Sequence, residues 1–224
     1  MPDPDDITPP DLDTQKMDDS NFNTMDLSQA WGIWGRARFL IKREYKDREG
    51  YYIEDGAKNV LGKVAMVANG GWAVENSSGN TLAMLWRQHS EDHHVDNISS
   101  LVHMGFHRWE NARKDETIAS LYCLANLDKT VRLFVTLIGK DATLESPSNR
   151  VALKMAPGKQ HNELLLVDGF DDPVATIHTE AMSTAETHEI TFMEAEDPFL
   201  AAILTITIGL ESGFRHGGVW KSPY

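Results

Sequence analysis

DPFLAAILTITIGLESG, residues 197–213, is the stretch from which the fold of this 224-residue chain is read. Asp197 suits an N-cap, because its carboxylate can accept from the unpaired N–H groups of a first helical turn. Pro198 suits the first helical position, where its missing N–H costs nothing. From Phe199 to Leu210 there is no charge, and the only polar side chains are Thr205 and Thr207. A surface helix shows an apolar stripe opposite a polar face, and this segment has no such face. It is also shorter than the roughly 20 apolar residues that cross a bilayer. What remains is a helix enclosed by protein on nearly every side. Many short strands precede it, so the natural enclosure is a closed antiparallel β-barrel with this helix inside. The β-branched run Ile206-Thr207-Ile208 keeps a buried strand open as the competing reading.

The strands are legible as hairpins. Ile53-Glu54-Asp55 is followed by Gly56 to Asn59 and then Val60-Leu61-Gly62-Lys63-Val64. Val74-Glu75-Asn76 leads through Ser77 to Asn80 into Thr81-Leu82-Ala83-Met84-Leu85, and Leu166-Val167-Asp168 through Gly169 to Asp172 into Pro173-Val174-Ala175-Thr176-Ile177. Asp or Asn at a strand exit can fold its side chain onto the following backbone and start a turn. Any hairpin protein yields such echoes, yet three copies at one spacing point to a repeated unit. Val131, Leu133, Val135 and Leu137 alternate with Arg132, Phe134, Thr136 and Ile138, and Val151, Leu153 and Met155 with Arg150, Ala152 and Lys154. Such alternation marks strands with one buried face. Thr117–Leu124 and the Ile190/Phe192 region read as two more strands. Ile98, Leu101, Val102, Phe106 and Trp109 fit a short surface helix capped by Asp96 or Asn97.

The formal net charge of −13 is uneven. Residues 1–27 hold eight aspartates against Lys16, and four of the nine prolines, which leaves −6 for the rest. Such a segment cannot bury enough apolar surface to fold alone, so it reads as a disordered acidic arm before a single domain over 28–224. The overall balance argues against nucleic-acid binding. The single cysteine, Cys123, excludes an internal disulfide, and its apolar neighbours Leu121, Tyr122, Leu124 and Ala125 suit a buried, inert thiol. No positively charged, apolar leader is visible, so a cytoplasmic location is expected, peripheral at a membrane if lipid is bound. The sequons at Asn76 and Asn97 then read as chance matches.

Tyr51-Tyr52-Ile53-Glu54-Asp55-Gly56, Leu61-Gly62-Lys63-Val64 and Trp72-Ala73-Val74-Glu75-Asn76, with Gly79-Asn80-Thr81-Leu82, resemble the opening hairpins of the Tubby C-terminal-like superfamily. LURP-one-related proteins and phospholipid scramblases are the members it is most similar to. Asp197-Pro198-Phe199-Leu200-Ala201-Ala202-Ile203-Leu204 is similar to their apolar C-terminal helix, and the resemblance covers about residues 36–212. It implies a twelve-stranded barrel threaded by a helix at about 198–212. It also implies phosphoinositide headgroups held by basic residues on the barrel wall. The chain departs from scramblases: it lacks a cysteine-rich cluster, and Asp168, Asp171 and Asp172 do not form a D-x-[DN]-x-[DN]-G calcium loop.

The densest basic stretch is Arg36–Arg48, RARFLIKREYKDR. Read as a strand, it puts Ala37, Phe39, Ile41 and Tyr45 on one face and Arg36, Arg38, Lys42, Lys46 and Arg48 on the other. Guanidinium and ammonium groups two residues apart could grip a lipid phosphate. The competing reading is a solvated face neutralised by Glu44, Asp47 and Glu49, and the acidic arm is a further candidate to fold over it. His89, His93 and His94 cluster around Glu91 and Asp92, and His103 and His107 are four apart, a spacing that can hold zinc. No Glu follows as in H-E-x-x-H, so a charged loop is the default and no metal or cofactor is expected. Trp31 and Trp34 either staple the chain onto the barrel or meet a partner or membrane. Neither a phosphate-binding G-x-x-x-x-G-K-[ST] loop nor a G-x-S-x-G elbow occurs.

The sequence therefore points to a non-enzymatic binding or regulatory module that meets anionic lipid headgroups or a protein partner. Scramblase-like lipid translocation is the alternative, followed by a small-molecule or metal-binding enzyme at the barrel mouth.

Overall fold

The computed structural model describes residues 3–12, 18–44, 50–88, 119–138, 141–148, 150–159, 162–181, 185–193 and 197–216. The chain forms one closed antiparallel barrel of twelve strands. They are β1 (Arg38–Glu44), β2 (Gly50–Glu54), β3 (Val60–Met66), β4 (Trp72–Asn76), β5 (Thr81–Gln88), β6 (Ala119–Ala125), β7 (Val131–Ile138), β8 (Asp141–Glu145), β9 (Val151–Pro157), β10 (Glu163–Val167), β11 (Pro173–Ala181) and β12 (Ala185–Phe192). Each strand pairs with its neighbours in sequence, and β12 closes onto β1 from Arg38↔Thr191 to Glu44↔Ala185. Closure leaves no strand edge to pair with another chain. A short helix, α1 (Met25–Ala30), precedes the barrel, and a long one, α2 (Pro198–His216), follows it.

Five turns at one end share one design. The N–H groups of Asp55, Asn76, Asn126, Ser146 and Asp168 donate to the carbonyls of Asn59, Asn80, Thr130, Arg150 and Asp172 at 2.9–3.1 Å. Asp55, Asn76 and Asp168 also fold Oδ1 onto the N–H groups two and four residues on. In four of the five the left-handed position falls on Lys58, Gly79, Lys129 and Asp171, with φ of 65°, 78°, 70° and 69°. A register shift follows in each hairpin, as between Ile53 and Glu54. The three copies read in the sequence are thus part of a set of five, the others being Asn126–Thr130 and Ser146–Arg150.

Helix α2 fills the barrel. Every side chain from Phe199 to Glu211 is 9% exposed or less. Burial of each large aliphatic or aromatic group there contributes about 1.5–3 kcal/mol. The two threonines need no polar face, because Thr205 and Thr207 donate to the carbonyls of Ala201 and Ile203 one turn back at 2.8 and 2.6 Å. Asp197 caps the helix, its Oδ1 accepting from Phe199 N at 3.0 Å. Helix α1 completes the cap: Ser28 Oγ accepts from Phe199 N at 3.1 Å, and the Thr24 and Ser28 hydroxyls donate to Asp197. Trp31 is 1% exposed, donates to Glu75 O at 2.9 Å and lies against Phe199, so it staples the chain onto the barrel. Gly62 makes this possible, since a Cβ there would stand 2.5 Å from Trp31 Nε1.

Parts of the acidic segment are placed against the barrel. Its described residues 3–12 lie outside the wall formed by β4–β7. Ile7 and Leu12 are each 6% exposed, Ile7 against Ala73, Met84 and Trp86, Leu12 against Cys123, Val131 and Phe134. Asp5 Oδ1 accepts from Ala68 N at 2.8 Å, and Lys129 donates to Thr8 Oγ1 at 2.6 Å. Nearer α1, Asp19 accepts from Ser148 at 2.7 Å, and Arg132 forms a fork on Asp26 with both contacts at 2.8 Å. The arm also sits across the barrel from β1, so its described residues do not cover the basic strand.

Candidate functional site

The predicted basic strip is only partly assembled. Strand β1 begins at Arg38, so Arg36 precedes it rather than lying on it. Phe39 and Ile41 point into the core, which places Arg38, Leu40 and Lys42 on the outer face. Lys46 and Arg48 lie outside the described residues, as do Asp47 and Glu49. The counter-charges that the structure shows come from other elements. Arg38 meets Glu189 of β12 at 2.9 Å, with 59% of its side chain exposed. Arg36 donates to Gly32 O at 2.6 Å and stands 4.0 Å from Asp55. Hydrogen bonds from Asn59, with a smaller contribution from Arg36, hold the Asp55 carboxyl below the usual carboxylate range.

Inside the barrel is a polar cluster that the sequence reading missed. It lies toward the end where the β1 chain leaves and α2 runs on past Glu211. Arg43 shares the inward face with Phe39 and Ile41. Its Nη1 donates to Tyr51 Oη at 3.2 Å and to Gly209 O at 3.4 Å, and its guanidinium lies 5.3 Å from the Tyr51 ring centre. Its cross-strand partner is Glu186, which is 4% exposed. Glu211, on α2, accepts from Tyr122 Oη at 3.1 Å and from Arg87 at 3.2 Å, while Arg87 also donates to Ser120 Oγ at 3.1 Å. Arg43 and Glu211 each meet a hydroxyl or an opposite charge, as burial requires. The strict alternation of β1 could have revealed Arg43, had a basic residue been allowed on an inward face.

His188 extends the cluster. Its Nδ1 is 2.9 Å from Thr179 Oγ1, and its Nε2 is 3.4 Å from Glu186 Oε1. Hydroxyl, imidazole and carboxylate in a row have the order of a hydrolytic triad. The chemistry does not follow, because burial pushes His188 down to about 4, too weak a base near neutral pH, and it is only 7% exposed. The Cys123 thiol is buried on the outer side of the wall and pushed far up by loss of water, so it is no nucleophile. His89, His93, His94, His103, His107 and the surface helix read over 98–109 lie outside the described residues.

No protein-family model matches the chain. No curated protein matches its sequence. Among solved structures it is similar to the X-ray structure of a protein from Arabidopsis thaliana, AT5G01750, with a TM-score of 0.52 and 12% sequence identity, over 88% of this chain and 100% of that one. At that identity the likeness shows the fold. A closed twelve-stranded barrel with such a neighbour accords in general with the tubby-like fold that the sequence resembles. Among the described residues no helix is long and apolar enough to cross a membrane.

Proposed function

We propose that the chain is a non-enzymatic binding module of tubby-like type, which receives the phosphate groups of anionic lipid headgroups on the outer face of β1. The observation that carries this reading is the pairing of a filled interior with an exposed basic outer strand. α2 occupies the inside, so a ligand has to bind on the wall or at a rim. On the wall, Arg38 and Lys42 stand on one strand face, with Arg36 at its start. The ion pair of Arg38 with Glu189 is a surface pair, worth about 0–1 kcal/mol. A phosphate carries more charge and fits the guanidinium fork equally well, so it can displace that carboxylate.

Sedimentation with vesicles tests the proposal. The full chain should pellet with vesicles containing phosphatidylinositol bisphosphate and stay in solution with pure phosphatidylcholine. Each cation near a charged membrane adds about 1 kcal/mol. Binding should therefore fall about fivefold for Arg38→Glu, fall further with Lys42→Glu, and weaken with salt. Equal sedimentation with both vesicle types, or no loss in the double variant, contradicts the reading.

A further inference from the structure

We infer that the outer wall of β4–β7 is a peptide-docking surface, held in cis by the chain's own residues 3–12, and that its partner is a protein offering an acidic segment with two aliphatic anchors five residues apart. This inference is independent of the lipid reading, which concerns the opposite side of the barrel.

The wall itself is the first observation. Alternation directs Val74, Leu85, Tyr122 and Leu133 inward, and they are buried against α2. Their neighbours on the other face should then be wetted. Instead Met84, Trp86, Cys123 and Phe134 are apolar and 0–4% exposed, because the arm covers them. A soluble protein rarely leaves so contiguous an apolar outer face without a use for it. The Trp86 ring is seated over Gly71, where a Cβ would stand 2.6 Å from Trp86 Cζ3, so the backbone is shaped to receive this ring.

The second observation is the seated segment, which shows what the wall accepts. Its anchors, Ile7 and Leu12, are five residues apart and enter two separate apolar clusters. Between and beside them the backbone is held by groups from the barrel loops. Ala68 N donates to the Asp5 carboxylate at 2.8 Å, Asn69 Nδ2 donates to Pro4 O at 3.2 Å, and Lys129 donates to Thr8 Oγ1 at 2.6 Å. The loops thus supply donors, and the segment supplies carboxylates and carbonyls. Pro4–Asp6 form a single 3-10 turn capped by Asp3, and no described residue of the segment pairs into the sheet, so the side-chain anchors and the loop donors hold it in place. The third observation is that the hold depends on few contacts. Two anchors and exposed polar contacts keep the arm in place because it is tethered, at a high effective concentration. An untethered segment with the same chemistry and better anchors displaces it.

A fluorescent peptide of residues 3–12 tests this against the full chain and against the full chain with I7D and L12D, which frees the wall. The peptide should bind I7D/L12D about tenfold tighter than wild type, since the tethered arm no longer competes. A peptide that itself carries I7D and L12D should not bind. R38E should leave peptide binding unchanged while it impairs vesicle binding, which separates this inference from the lipid reading. Equal affinity for wild type and I7D/L12D overturns the inference, as does no binding to a variant that melts like wild type. A concentration-dependent wild-type dimer that I7D/L12D abolishes assigns the wall to a second copy and overturns the partner proposed here. Should I7D/L12D fail to fold, I7A/L12A serves instead. Its Cys123 should react faster with a small maleimide than in wild type, and the peptide should slow it again. An unchanged rate, or no protection by the peptide, overturns the inference.

Discussion

His188 is where burial and protonation are most closely linked. Loss of water pushes its pKa from an ordinary 6.5 down to about 4. A carboxylate at 3.4 Å favours the charged imidazole, but burial is the larger effect. Between pH 6.5 and 4 the unfolded chain therefore binds a proton that the folded chain refuses, and stability falls as pH drops through that window. The loss is at most about 3 kcal/mol. His188→Gln keeps a polar group beside Thr179 and cannot titrate, so its melting temperature should fall less than that of wild type between pH 6.5 and 4. Parallel melting curves against pH for the two proteins would show that another group controls the window. Single residues are also where the sequence was least legible. Arg43 sits on an inward face, where it meets Tyr51 and the Gly209 carbonyl across from Glu186 of β12, and no composition rule announces such a placement. Gly209 is similar: a Cβ there would stand 2.1 Å from Tyr51 Oη, a constraint visible only once helix and wall are in contact.

At the scale of elements, local chemistry was the better guide. The turn at Asp168 illustrates why. Its Oδ1 accepts from Phe170 N and Asp172 N at 2.8 and 2.9 Å, while its own N–H donates to Asp172 O at 2.9 Å. Asp at a strand exit announces this geometry in advance. Asp168→Ala removes the side-chain bonds and should cost about 1 kcal/mol, a melting shift of about 2–4 °C. No shift would mean that the backbone bonds and the bulge hold the turn alone. The copies at Asn126 and Ser146 escaped the repeat because Leu127 follows the first and Pro147 the second, which hides the polar spacing. Helix α2 was legible from its cap, its proline and its missing polar face. The buried-strand alternative fails because Thr205 and Thr207 donate one turn back.

For the whole molecule, the fold follows from one apolar helix that needs enclosure and a sheet that closes around it without an edge. Charge is then sorted by position. The basic outer face of β1 and the arm-covered wall of β4–β7 lie on different sides of the barrel, so the two proposed binding surfaces are separate. The interior polar groups tie α2 to the wall. The measurement that tests this account most directly is native-state hydrogen exchange of the α2 amides, followed by mass spectrometry of the full chain. A helix that the barrel encloses can open only when the barrel opens. Amides from Ile203 to Leu210 should therefore exchange as slowly as those of the slowest strands, and denaturant should accelerate both together. Exchange of those amides well ahead of the strands would show that the helix leaves the barrel without unfolding it, and would contradict the enclosed plug on which the fold and both proposed surfaces depend.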